Sequence, residues 1–230
     1  MKKGVFYGVG IGPGDPELLT VKAIRLLERC PVIAAPQTKS GEMLALDIAS
    51  RAVDLQGKTV VPLHFVMERD PERLRKSHLA AAEAVEAYLV QGQDVAMLNL
   101  GDVSIYATYS YLMEILRERG YETAMIPGVP SFCAVAACLN VSLTEMNSTL
   151  HIAPGSAALK ETLDLPGIKI LMKSGRQMPA VLAALAERNA LERSMLVQNC
   201  GLPGERVYPD LSREAPTEGM GYFATVIVKE

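Results

Sequence analysis

The stretch GVGIGPGDPELLT, residues 8–20, decides how this chain is read. It closes an apolar run that begins at Val5, and four glycines then fall at every second position, at 8, 10, 12 and 14. Little side-chain bulk remains in such a segment, and glycine tolerates the positive φ values that a tight turn can demand. The run therefore ends a strand and opens a loop whose backbone amides face a small ligand, or else it is a plain tight turn. A dinucleotide fingerprint is absent. That signature needs G-x-G-x-x-G and, about twenty residues on, a ribose-binding acid. Starting the pattern at Gly8, Gly10 or Gly12 puts Pro13, Asp15 or Glu17 where the third glycine belongs, and the next strand ends in Ala34-Ala35-Pro36 without a carboxylate. No Walker lysine follows the glycines.

Working outward, short β-branched runs at 5–9, 32–34, 59–61, 95–98 and 123–126 alternate with helical patterns at 17–29, 43–53 and 72–89. In the last of these Leu74, Leu79, Ala82, Val85 and Leu89 share one face. This rhythm predicts a mostly parallel sheet with helices on both faces and a ligand crevice beyond the carboxyl ends of its strands. The turn Pro127-Gly128-Val129-Pro130 opens an apolar helix at 131–139. Beyond it the pattern shifts to strands near 149–153, 168–172, 195–199 and 222–228, with a helix at 178–188. The expectation is an α/β protein of two α/β domains. Residues 1–128 carry the glycine loops on a mostly parallel sheet, residues 129–230 form a smaller mixed-sheet domain, and a cleft lies between them.

Composition narrows the function. With 230 residues, 49% hydrophobic and 21% charged, the chain reads as an ordinary soluble enzyme. It has no run of eighteen apolar residues, and Met1-Lys2-Lys3-Gly4 leads directly into a strand too short for a signal-peptide core, so a cytoplasmic protein without membrane contact is expected. A net charge of −3 argues against broad nucleic-acid binding. Cys30, Cys133, Cys138 and Cys200 show no zinc spacing, nor do His64, His78 and His151 approach them in sequence. No metal site is expected, and the cysteines read as buried and inert.

Three glycine-bearing turns follow three strands of the first half: residues 10–15, Gly101-Asp102-Val103-Ser104-Ile105-Tyr106, and Pro127-Gly128-Val129-Pro130-Ser131-Phe132. They are expected to meet at one sheet edge. Together with Met172-Lys173 and Val197-Gln198-Asn199-Cys200, this ordered set resembles the tetrapyrrole methylase family, the corrin/porphyrin methyltransferases, over essentially the whole chain. Within it, GVGIGPGDPELLT, GDVSIYATYSYL, PGVPSF and YFATVIVK are most similar to members that methylate carbon 20 of precorrin-2 or cobalt-factor II in cobalamin biosynthesis. Uroporphyrinogen-III methyltransferases usually carry GGDP where this chain has LGDV. Diphthine synthases lack the full GPGDPELLT run.

The resemblance implies S-adenosyl-L-methionine bound between the domains and released as S-adenosyl-L-homocysteine. Its contacts are implied at Pro13, Gly101, Asp102, Ile105, Pro130 and Ser131, then near Lys173, Cys200 and Thr225. A tetrapyrrole trough bordered by Gly12, Gly14 and Asp15 and a homodimer are implied as well. A macrocycle rich in carboxylates asks for cations, and Lys39, Arg69, Arg73, Arg75, Lys76, Lys173 and Arg176 are the candidates. Asp102 and Tyr106 are the catalytic candidates, either to orient the ring or to receive the proton lost after methylation. Asp102 also reads as a helix cap worth about 1 kcal/mol. Tyr106 and Tyr109, three apart in a helix expected over 105–119, form either a stacking wall or packing. Residues 36–41 are a flap or a plain loop. The alternatives are another tetrapyrrole methylase acting at a different ring position and, as a different class, an S-adenosyl ligand-binding module without catalysis.

Overall fold

A computed structural model describes residues 2–66, 70–155, 159–216 and 220–230. Arg69, a candidate cation, lies outside the described residues. The chain divides into two compact units, Met1–Pro130 and Ser131–Glu230.

The first unit holds β1 (Val5–Gly10), β2 (Val32–Gln37), β3 (Thr59–His64), β4 (Val95–Asn99) and β5 (Glu122–Ile126) in the order β3-β2-β4-β1-β5, every pairing parallel. All five residues of β4 are buried, which is why this segment reads as an unbroken apolar run rather than an alternating one. The helices are α1 (Val21–Arg29), α2 (Leu44–Ser50), α3 (Pro71–Leu89) and α4 (Tyr109–Glu118). Thr20 caps α1 by accepting from the Ala23 amide at 3.1 Å, and Asp70 caps α3 with Pro71 at its first position. Phe6, Val85, Leu89, Met97, Tyr109, Leu112 and Leu116 build the core. The helix expected over 17–29 is split: Pro16–Leu18 forms one 3-10 turn, Leu19 and Thr20 are extended, and α1 starts at Val21.

The second unit holds β6 (Leu150–Pro154), β7 (Ile168–Met172), β8 (Ser194–Gln198), β9 (Arg206–Tyr208) and β10 (Ala224–Val228) in the order β6-β7-β10-β8-β9. Only β6 and β7 run parallel, so the sheet is mixed, as expected. With α5 (Ser131–Leu139), α6 (Leu159–Asp164) and α7 (Met178–Glu187), it buries Leu171, Val181, Leu185, Leu196 and Val226. Three-residue β9 gave no sequence signal. Among the described residues no helix is long and apolar enough to cross a membrane. The expectation of four buried cysteines is corrected: Cys30 is buried, Cys200 is half-buried, and Cys133 and Cys138 are exposed. Met97 fills the core, but Met146 is 97% exposed.

Candidate functional site

In the first unit β4, β1 and β5 are neighbours that end on the same edge, so the three glycine turns do meet. Gly12 and Gly101 form an antiparallel bridge, with the Gly12 amide donating to Gly101 O at 3.2 Å and the Gly101 amide to Gly12 O at 2.8 Å. A Cβ on Gly10 would stand 2.6 Å from the Gly128 nitrogen, and one on Gly128 would stand 2.3 Å from Gly101 O. These glycines are required because chain meets chain there. The bareness that reads in sequence as room for a ligand is filled by the neighbouring turns.

Asp102, 9% exposed, stitches the corner together. Its Oδ1 accepts from the Ser104 amide at 2.8 Å and from the Ser104 hydroxyl, and its Oδ2 accepts from the Gly128 amide at 2.8 Å. Burial alone would raise its pKa, but these hydrogen bonds outweigh it and hold the carboxyl below its ordinary range. The helix-cap reading is corrected. The Asp102 side chain closes a turn onto Ser104, while α4 begins only at Tyr109 with Thr108 before it. Ile105 is half-buried, its amide 3.4 Å from Asp102 O. Tyr106 is 48% exposed and holds φ at +49°, a conformation costly for a side chain of its size. Tyr109 is fully buried, 4.9 Å from the Phe6 ring with its hydroxyl near Phe6 O and Ala124 O, so it packs the core and lines no wall.

Gly12, at φ +76°, Pro13 and Gly14 are buried, and Pro130 is half-buried. Asp15 accepts from the Glu17 amide at 2.9 Å and so caps the 3-10 turn after the glycine loop. Lys39 is exposed in a turn closed by Thr38 and Glu42, with the Gly41 amide donating to Thr38 O at 3.0 Å. Of the segment 36–41, Pro36 and Gln37 thus end β2, and the rest lies in the hydrogen-bonded turn from Thr38 to Glu42. Arg73, Arg75 and Lys76 lie on exposed positions of α3. On that helix His78 stacks on Tyr111 at 4.5 Å, and burial lowers its pKa.

In the second unit Ser131 opens α5 and is half-buried. Lys173 follows β7 with φ at +56° and its ammonium 5.7 Å from the Tyr222 ring centre. Arg176 is exposed on the 3-10 turn Gly175–Gln177. A Cβ on Gly175 would stand 1.6 Å from Gly221 O, so this edge too is built on a glycine contact. Thr225 is buried in β10 opposite Val197. Cys200 lies just beyond β8, where burial, Cys138 and Glu205 push its thiol up to about 12.

The model of the Tetrapyrrole (Corrin/Porphyrin) Methylases matches residues 5–216. The chain belongs to this family. Among curated relatives it is 38% identical over 169 residues, 73% of this chain and 71% of the other, to a probable cobalt-precorrin-2 C(20)-methyltransferase of Methanocaldococcus jannaschii. It is 29% identical to a cobalt-precorrin-2 C(20)-methyltransferase of Salmonella typhimurium across 99% of this chain and 97% of that one. A precorrin-2 C(20)-methyltransferase of a Sinorhizobium is 31% identical, with 98% and 95% covered. A uroporphyrin-III C-methyl transferase of Thermus thermophilus, solved with S-adenyl homocysteine, shares the fold at a TM-score of 0.68 and 21% identity, covering 99% of this chain and 98% of that one.

For a tetrapyrrole methylase, one residue stands out that sequence reading quoted but did not single out. Gln198, at the end of β8, is 7% exposed, and its Oε1 is the buried side-chain acceptor without a partner among the described residues. Its amide nitrogen faces Gly221 at 3.5 Å from where a Cβ would stand. The available signal was a glutamine closing the apolar strand Ser-Met-Leu-Val-Gln.

Proposed function

We propose that this chain transfers a methyl group from S-adenosyl-L-methionine to carbon 20 of precorrin-2 or cobalt-factor II in cobalamin biosynthesis. The observation that carries this reading is the match to C(20)-methyltransferases across nearly the full length of both partners. The residues present fit the cofactor: a buried glutamine acceptor awaits a donor, and two glycine contacts fix the strand ends from which main-chain groups would hold it.

The sulfonium supplies an electrophilic methyl whose charge disperses as it leaves. The protein's part is to align donor and ring carbon and to exclude water, which is worth about 7–11 kcal/mol for well-oriented partners. Pro13, Gly101, Ile105, Pro130 and Ser131, with Lys173, Cys200 and Thr225, are the proposed cofactor contacts. Asp102 serves by position. A general base works best with a pKa near neutrality, whereas this carboxylate is held low and accepts three hydrogen bonds. Tyr106 is proposed to orient the macrocycle, with Gly12, Gly14, Asp15, Lys39 and Arg176 bordering it. Assembly as a cytoplasmic homodimer belongs to the same reading.

The test is anaerobic incubation with methyl-labelled cofactor and, side by side, metal-free precorrin-2 and cobalt-factor II. One methyl at carbon 20 is expected on at least one of them. Label at carbon 2, 7, 11 or 17 refutes the position, and homocysteine-product binding without any turnover favours a binding module.

A further inference from the structure

Cys138, Cys200 and Glu205 stand far apart or in no metal motif along the sequence, yet the second unit brings them together. Cys138 lies in the last turn of α5, and Cys200 and Glu205 lie on the loop that joins β8 to β9. One ligating atom of each falls within 4.8 Å of the other two. Cys138 Sγ is 3.8 Å from Glu205 Oε1. The cluster is open to solvent through Cys138, which is exposed.

The surrounding backbone holds these groups in place. Asn199, Gly201 and Gly204 take left-handed conformations, and the Leu202 and Glu205 amides donate to Asn199 O at 2.8 Å and Leu202 O at 3.2 Å, so the loop is curled on itself. The Gly201 amide donates to Glu205 Oε2 at 2.7 Å. One carboxylate oxygen is thereby tied off, and the other is turned toward the Cys138 thiol. At the end of α5, the Asn140 and Val141 amides donate back to Ala137 O and Ala136 O, each at 3.0 Å, which fixes the turn carrying Cys138.

We propose that Cys138, Cys200 and Glu205 form a binding site for one thiophilic divalent cation of the zinc class, with its fourth position open to water. A tetrahedral ion with bonds of about 2.3 Å to sulfur and about 2.0 Å to oxygen places its ligand atoms roughly 3.5–3.8 Å apart. From separations of up to 4.8 Å the cluster needs to contract by about 1.3 Å at most to reach that geometry. Two sulfurs and one carboxylate select this class over magnesium or calcium, which take oxygen ligands. The Gly201 amide supplies the outer hydrogen bond that orients the carboxylate. A bound ion would clip the end of α5 to the β8–β9 loop.

The full chain, reduced and stripped with a chelator, is titrated with Co²⁺ as a spectroscopic probe. One equivalent should produce thiolate-to-metal charge-transfer bands and tetrahedral ligand-field bands, and one equivalent of Zn²⁺ should bleach them. Cys138→Ser should weaken binding about 100-fold and Glu205→Gln about tenfold, whereas Cys133→Ser should leave it unchanged. Cobalt bound without thiolate bands, bands that form in Cys138→Ser at unchanged affinity, or binding only at about millimolar metal, meaning an adventitious ion only, overturns the site. Should a variant fail to fold, alkylation of the unaltered chain decides: Zn²⁺ must protect Cys138 and Cys200 but not Cys133, and equal labelling with and without zinc overturns the proposal. The probe needs neither sulfonium nor tetrapyrrole, so its failure leaves the methyltransferase reading untouched.

Discussion

The two units organise their strand ends differently. In the parallel-sheet unit three turns interlock by leaving out side chains, and a single carboxylate fastens them, so the corner is satisfied by the chain itself. In the mixed-sheet unit the strand ends carry polar groups instead: a buried glutamine oxygen without a partner among the described residues, a left-handed lysine beside an aromatic ring, and two thiols near a carboxylate. The contrast teaches that a glycine run marks where backbone must approach backbone. Which groups recognise a ligand is written in the polar residues near it.

The largest effect separates crowded glycines from open ones. Gly128 has no positive φ but an imagined Cβ lies 2.3 Å from Gly101 O, whereas Gly41 has open space at φ +92°. Gly128→Ala should cost about 3 kcal/mol or more through steric overlap, and Gly41→Ala about 1 kcal/mol through backbone strain alone. Urea denaturation of both variants measures this. Equal losses would show that the corner yields, and the interlocking account of the first unit would fall.

The next effect tests the fastener. Asp102→Asn must turn an NH₂ group toward a backbone or hydroxyl donor, since both carboxylate oxygens accept. The expected loss is about 2–3 kcal/mol. The sign with pH follows from the lowered pKa: the carboxylate contributes fully above its unfolded value of 3.8, and the contribution disappears as pH falls through the lower folded value. Acid titration of stability should therefore show a component below about pH 4 that Asp102→Asn lacks. A variant of unchanged stability whose turnover alone collapses would instead make Asp102 a base.

The alternation of short apolar runs with helical patterns made the parallel sheet and the meeting of its turns legible, because strand order confines all three turns to one edge. For Tyr109 the packing alternative holds, and what spacing alone misplaced is the start of the helix expected over 105–119. Three residues from Tyr106, Tyr109 shares a helical face with it only if the helix already runs there, and the structure delays α4 until Tyr109 itself. Cys138, Cys200 and Glu205 were illegible for another reason: their proximity depends on a helix end and a loop whose contact no local pattern encodes. Gln198 was visible as a polar residue at an apolar strand's end, but its missing partner is a property of the packed unit.

A smaller effect probes the unpartnered Gln198 oxygen of the second unit. Gln198→Leu removes a buried acceptor that has no donor, so the ligand-free protein should gain about 1 kcal/mol. If that oxygen serves the cofactor, S-adenosylhomocysteine should bind about tenfold more weakly, which is a loss of about 1.4 kcal/mol. Calorimetry and thermal unfolding on one preparation read both signs. Greater stability with unaltered affinity would assign the orphan to structure alone.

The smallest expected change in stability concerns a feature found in both units, a large side chain held at positive φ: Tyr106 at +49° in the first and Lys173 at +56° in the second. Left-handed backbone costs a non-glycine residue about 1–2 kcal/mol, and such cost persists where surroundings or function over-determine it. Tyr106→Gly and Lys173→Gly relieve that cost but lose about 0.5–1 kcal/mol to the freer unfolded chain, so each should change stability by about 1 kcal/mol or less. Function should separate them. Half-exposed Tyr106 is proposed to orient the macrocycle, so its removal should raise the KM for tetrapyrrole about tenfold while leaving the cofactor's Kd in place. Lys173, proposed on the cofactor side, should show the reverse. Were both variants to alter the same constant, the division of labour between the two strand-end regions would be lost, even with the fold and the chemistry intact.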